Sequence, residues 1–93
     1  MTSPANRTAF VSGASTGLGY AIACALAQAG YDLAVTSRDA ARLDALLREP
    51  AMQGRKVVPV KLDLRIEGDI RQAVAAAVAA FGDIDVLVNN AAR

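Results

Sequence analysis

The sequence predicts a doubly wound α/β fold, and three observations carry that expectation. Short apolar runs alternate with longer helical ones along the chain, the pattern of right-handed βαβ units. A glycine-rich turn, Ser12-Gly13-Ala14-Ser15-Thr16-Gly17-Leu18-Gly19, joins the first apolar run to the first helical one. The run Val86-Leu87-Val88 is apolar on both faces, as befits a parallel strand covered by helices on either side. The expected spatial strand order is 3-2-1-4, with the order reversing between strands one and four.

Each element follows from local chemistry. Residues 1–6 read as a polar tail, and residues 7–93 as one domain. Arg7 to Ser12 reads as the first strand. Leu18 to Ala29 reads as a helix that is apolar nearly all round, closed by Gly30 as a C-cap. Leu33 to Thr36 reads as the second strand. Ser37 or Asp39 is placed to cap the next helix, whose Leu43, Leu46 and Leu47 share a face. Pro50 and Gly54 end it. Val57 to Leu62 reads as the third strand, and Pro59 puts it at the sheet edge because proline cannot donate to a ladder. Ile70, Val74, Val78 and Phe81 step by four, four and three, the apolar stripe of an amphipathic helix from about Asp69 to Phe81. Gly82 stops that helix, and Ile84 to Val88 reads as the fourth strand.

The glycine turn has the chemistry of a phosphate site. A turn leading into a helix presents backbone N–H groups that lack intrahelical partners. Together with the positive end of the helix dipole they attract an anion such as a pyrophosphate. Gly13 lets the chain turn sharply off the strand, Gly17 lets backbone approach a phosphate, and Gly19 lets the helix pack closely.

Composition narrows the class. The chain of 93 residues is 54% hydrophobic and 20% charged, too apolar for disorder. Ten basic and nine acidic residues give a net charge of +1, with no basic face for nucleic acid and no polybasic membrane patch. There is one cysteine and no histidine, so no internal disulfide and no metal-ligand cluster is expected. No apolar run is long enough to span a membrane, and the first six residues lack the apolar core of a signal peptide. A soluble, cytoplasmic protein is the expectation.

The spacing of Gly13, Gly17 and Gly19 is G-x-x-x-G-x-G. That is neither the G-x-G-x-x-G dinucleotide fingerprint nor a P-loop, since no Lys follows the last glycine. With Asp63-Leu64 ending the third strand and Asn89-Asn90-Ala91-Ala92 ending the fourth, the chain resembles the short-chain dehydrogenase/reductase family. That family opens with T-G-x-x-x-G-x-G and carries N-N-A-G after its fourth strand. Ser12 stands where Thr is usual, and Ala92 where Gly is usual. The match runs over residues 7 to 92 but covers only the first half of the family's fold, so a partial Rossmann unit lacking its second half is implied. The abrupt end after this segment is expected either of a truncated gene product or of an incomplete record of a longer one.

The resemblance implies a dinucleotide lying along Gly13, Ser15, Thr16, Gly17, Leu18 and Gly19, with Ser37, Arg38, Asp63, Leu64, Asn89 and Ala91 completing the site. In NAD-specific members an Asp ends strand two and binds the adenosine ribose. That position is Ser37 here, followed by Arg38. A carboxylate would repel a 2′-phosphate and a guanidinium would pair with it, so NADP(H) is expected over NAD(H). Asp63 is implied at the adenine.

Family members transfer hydride between carbonyl and alcohol using a Ser and a Tyr-x-x-x-Lys. The fourth residue after Tyr20 is Cys24 and the fourth after Tyr31 is Val35, so no catalytic residue is assigned. Cys24 lies within the apolar helix and reads as a small buried hydrophobe. The missing dyad leaves a second reading open, a non-enzymatic nucleotide-binding or partner-docking remnant. Strand four, with no later strand beside it, is expected to be an exposed edge prone to self-association.

Overall fold

The computed structural model describes residues 7–63 and 65–90. The tail at residues 1–6 lies outside them. Four parallel strands form one sheet: β1 (Thr8–Ser12), β2 (Asp32–Ser37), β3 (Val57–Lys61) and β4 (Val86–Asn89). Their spatial order is β3-β2-β1-β4, the order expected of a dinucleotide-binding doubly wound sheet. Thr8 pairs with Asp32 on one side of β1, and Ser12 with Asn89 on the other. The fold is thus a Rossmann-like parallel sheet.

Helices lie on both faces because strand side chains alternate. Ala9 and Val11 of β1 and Leu33 and Val35 of β2 point to one face. There they meet Ala23 and Ala27 of α1 (Gly17–Gln28), Leu43, Met52 and Leu46 of α2 (Asp44–Leu47). Phe10 and Ala34 point to the other face and meet Ala73 and Ala77 of α3 (Glu67–Phe81), with Leu62 beside them. Leu33, Leu43, Leu46, Val11 and Val35 are fully buried, each contributing about 1.5–3 kcal/mol of transfer free energy.

Both long helices approach the sheet through small residues. Gly19, Ala23 and Ala27 form the buried row of α1, spaced by one helical turn. After the C-cap at Ala29, Gly30 has φ +100°. Its N–H donates to Ala27 O and that of Tyr31 to Leu26 O, both at 3.0 Å. This is the paired closure of a Schellman motif, which needs glycine's left-handed conformation.

Two expectations are corrected by packing, and one alternative is decided. The buried row of α3 is Ala73 and Ala77, while Ile70, Val74 and Val78 are 45%, 43% and 45% exposed. The bulky stripe at positions 70, 74 and 78 is real, but the sheet takes the neighbouring alanine row, which brings the helix backbone closer to Phe10 and Ala34. The segment between β2 and β3 is not one continuous helix. A 3-10 turn at Ala40–Leu43 leads into the single α-turn of α2, and a second 3-10 turn covers Pro50–Met52. Glu49 is extended, with φ −60° and ψ 139°, because the following proline excludes the helical conformation. Asp39, not Ser37, caps the first turn, its Oδ1 accepting from Ala41 N–H at 3.0 Å. Leu43 and Leu46 are buried and Leu47 half-buried.

Strand ends also shift. β2 extends through Ser37 and β4 begins at Val86, not Ile84. Asp85 is responsible for the latter start: its N–H donates to Thr8 O and its Oδ2 accepts from Thr8 N–H, both at 2.8 Å. Ile84 instead packs beside Phe81 under the α3 face. Pro59 lies on β3, which among the described residues has only β2 for a neighbour, as the missing donor demanded.

Candidate functional site

The carboxyl ends of all four strands open at one edge of the sheet. The order reverses at β1, between β2 and β4. α1 leaves the sheet on one face and α3 on the other, which opens a crevice at that switch point. Gly13, Arg38, Asp63 and Asn90 each lie within two residues of a strand end there.

The glycine turn is held by side chains of neighbouring strands. Gly13 has φ +66° and Gly17 φ +62°, conformations that glycine adopts without the Cβ penalty. Gly13 N–H donates to Thr36 Oγ1 at 3.2 Å, and Ala14 N–H to Thr36 O at 2.9 Å. Asn90 Nδ2 donates to Gly13 O at 3.2 Å. The Ser12 hydroxyl accepts from Asn90 N–H at 3.0 Å and lies 3.3 Å from both Val88 O and Asn89 Oδ1. Ser12, standing where Thr is usual, therefore ties β1 to β4 through its hydroxyl.

Beyond this clamp the donors are free to meet a ligand. The N-cap of α1 is Thr16, and its side chain makes no capping hydrogen bond. No acidic residue occupies the first turn. The first helical bond is Tyr20 N–H to Thr16 O at 3.4 Å, so the amides of Gly17, Leu18 and Gly19 precede the helical ladder. A Cβ added at Gly17 would meet nothing within 4 Å, so the turn is open on that side. Thr16 is exposed, Ser15 half-buried, and Leu18 67% exposed. A Cβ added at Gly19 would overlap the Gly13 carbonyl oxygen and stand 2.6 Å from Asn90 Nδ2. Gly19 is thus needed for close packing and Gly17 for its left-handed backbone. An open, uncapped cradle of amides at the positive end of a helix fits an anionic pyrophosphate.

At the next strand end Ser37 is buried, and its Oγ accepts from Asp39 N–H at 3.4 Å. Arg38 is exposed and makes no hydrogen bond or ion pair among the described residues. Asp63 is buried, with 8% exposure, and its carboxylate is taken by Arg65. Arg65 N–H and Nε–H donate to Oδ1 at 3.0 Å, and the terminal N–H group to Oδ2 at 2.8 Å. The Arg65 guanidinium holds the Asp63 carboxyl down at about 2, with Arg38 adding to the effect. Leu64 and Ala91, and the Ala92 that departs from the family pattern, lie outside the described residues.

Three residues of this arrangement were missed by sequence reasoning. Asn90 stood next to an assigned residue, Arg65 two positions after another, and Thr36 carried no signal beyond being a polar residue ending an apolar strand. The Tyr20 hydroxyl donates to Glu49, which pushes its pKa up to about 12. Cys24 is half-buried, and burial pushes its thiol up. Among the described residues no group of acidic, histidine or cysteine side chains could hold a metal, and no helix is long and apolar enough to cross a membrane.

The comparisons agree with this geometry. The model of the short chain dehydrogenase family matches residues 7–93. A 3-oxoacyl-[acyl-carrier-protein] reductase of Staphylococcus epidermidis is 36% identical over 89 residues, covering 92% of this chain and 36% of that protein. The crystal structure of a dehydrogenase/reductase from Sinorhizobium meliloti 1021 superposes with a TM-score of 0.85 at 42% identity, covering 96% of this chain and 36% of that one. A metagenomic short-chain oxidoreductase in complex with NADP superposes with a TM-score of 0.85 at 38% identity, covering 94% and 39%. The chain therefore spans somewhat over a third of the length of each of these three proteins.

Proposed function

The chain belongs to the short-chain dehydrogenase family, and from that premise we propose that it is the NADP(H)-binding half of an oxidoreductase interconverting carbonyls and alcohols. The bound nicotinamide supplies the hydride in such chemistry. This chain's own residues supply binding: the amides of Gly17, Leu18 and Gly19 take the pyrophosphate, and Thr36 and Asn90 hold the turn in shape. Asp63 faces the adenine end of the site, and Asn89 lies at the nicotinamide side of the crevice. The catalytic Ser and Tyr-x-x-x-Lys are not among these residues, so the chain by itself binds cofactor without turnover. Its fourth strand, with Leu87 68% exposed, is the surface through which it self-associates.

The observation that carries the cofactor preference is Arg38. It follows directly on β2, where a carboxylate would select NAD, and it is exposed with no ion-pair partner among the described residues. A charge-assisted hydrogen bond contributes about 1.5–3 kcal/mol, roughly 10- to 150-fold in affinity. Calorimetric titration with NADPH and NADH tests the reading. NADPH is expected to bind more tightly by roughly that factor, and Arg38→Ala to bring the two affinities together. Equal affinity of the unaltered chain for both would overturn the NADP assignment, and binding of neither would overturn the cofactor role.

A further inference from the structure

Asp63 is the carboxylate that threatens the proposed 2′-phosphate site. Ser37 pairs with Lys61 across β2 and β3, and Leu62 N–H donates to Ser37 O at 2.8 Å. Arg38 is therefore one residue past the paired Ser37 and Asp63 two past Lys61, both just beyond the carboxyl ends of neighbouring strands, and the Arg38 charge reaches the Asp63 carboxyl. An uncommitted Asp63 carboxylate there would pair with Arg38 and oppose a dianionic phosphate. The structure disposes of that carboxylate. Arg65 donates to both of its oxygens, with the side-chain fork at 3.0 and 2.8 Å and its own backbone N–H at 3.0 Å. Two further acidic side chains next to these residues in sequence are also engaged: Asp39 Oδ1 accepts from Ala41 N–H, and Asp69 Oδ2 from Asp63 N–H. Arg38 makes no hydrogen bond or ion pair among the described residues.

We infer that Arg65 is a positioning residue for cofactor selection: by holding Asp63 in a bidentate pair, it keeps Arg38 available for the 2′-phosphate. This rests on the cofactor reading above and extends it to a residue that does not itself touch the phosphate. Bidentate geometry matters here, because a guanidinium fork fixes both carboxylate oxygens where an ammonium would hold one. The pair is partly exposed, with Arg65 at 63% and Asp63 at 11% side-chain exposure, so its influence is modest and screened by salt.

The test uses the 93-residue chain and two probes at fixed ionic strength, adenosine 2′,5′-bisphosphate and adenosine 5′-monophosphate. The ratio of their affinities isolates the 2′-phosphate. Arg65→Ala is expected to lower that ratio about two- to fivefold, with Arg65→Gln behaving alike and urea midpoints confirming that both variants fold. In an Asp63→Asn background there is no carboxylate to restrain, and Arg65→Ala is expected to leave the ratio unchanged. A purely structural role would weaken both probes together and leave the ratio fixed in both backgrounds, which overturns the inference. A loss of equal size in both backgrounds overturns it too, because Arg65 would then act on the phosphate directly. If the unaltered chain does not distinguish the probes, the Arg38 reading fails and this inference falls with it. If it does and only the Arg65 variants are silent, the Arg38 reading stands and Arg65 alone is removed.

Discussion

Replacing Gly19 with alanine sets two physical effects of opposite sign against each other. Gly19 lies in α1 with a helical backbone, so alanine gains about 1 kcal/mol of helix propensity. Against this, the new Cβ overlaps the Gly13 carbonyl oxygen and stands 2.6 Å from Asn90 Nδ2 and 3.0 Å from the Gly13 carbonyl carbon. Two of those atoms are backbone, so relief requires moving the helix or the turn, at a typical overpacking cost of about 1–3 kcal/mol. The same movement loosens the 3.2 Å bond from Asn90 Nδ2 to Gly13 O, a further loss of about 0.5–1.5 kcal/mol. The clash prevails, and the net destabilisation is about 2 kcal/mol. Urea unfolding at one fixed protein concentration reads this as a midpoint lowered by about 1–2 M. Gly68→Ala is the internal control. Gly68 lies in α3, and a Cβ there meets nothing within 4 Å, so alanine is expected to raise stability by about 0.5–1 kcal/mol. A Gly19→Ala chain as stable as the unaltered one would refute the close approach of α1 to the ends of β1 and β4.

Two further outcomes are expected. Leu87 on the edge strand β4 and Ile70, Val74 and Val78 on α3 are exposed, and each apolar side chain gains about 1.5–3 kcal/mol on full burial. Sedimentation should therefore show association that rises with concentration and that Leu87→Lys with Val74→Glu suppresses; a monomer at every concentration would contradict it. The Asp63 carboxyl, held at about 2 by Arg65, should titrate well below the ordinary value of about 3.9. Because its pKa is depressed on folding, the stabilisation it brings is present above about pH 4 and is lost as pH falls toward 2. An NMR titration of its side-chain carbon should show the midpoint moving up in Arg65→Ala, and an unmoved midpoint would remove Arg65 as the cause.

What the sequence determined by itself was the order and kind of the elements. Periodicity, glycines and a proline are local signals, and they sufficed for the four strands, the α1 and α3 helices and the edge position of β3; the 3-2-1-4 order followed from the topology rule of the doubly wound fold. The glycine turn was legible for the same reason, since φ values of +66° and +62° at Gly13 and Gly17 are demanded by local backbone geometry. Tertiary structure decided which surface each element used. A stripe at Ile70, Val74 and Val78 says that a helix has an apolar side, not that a sheet will take the alanine row beside it. Shape decided that, because Ala73 and Ala77 allow the closer approach. The site divides in the same way. The position of Arg38 after strand two could be found by counting, whereas the contacts of Thr36, Asn90 and Arg65 could not, because they are hydrogen bonds to a turn or a carboxylate placed by the fold. Ser12 and Asn90 are 78 residues apart in the chain and 3.0 Å apart in space, and only the β1–β4 pairing brings them together.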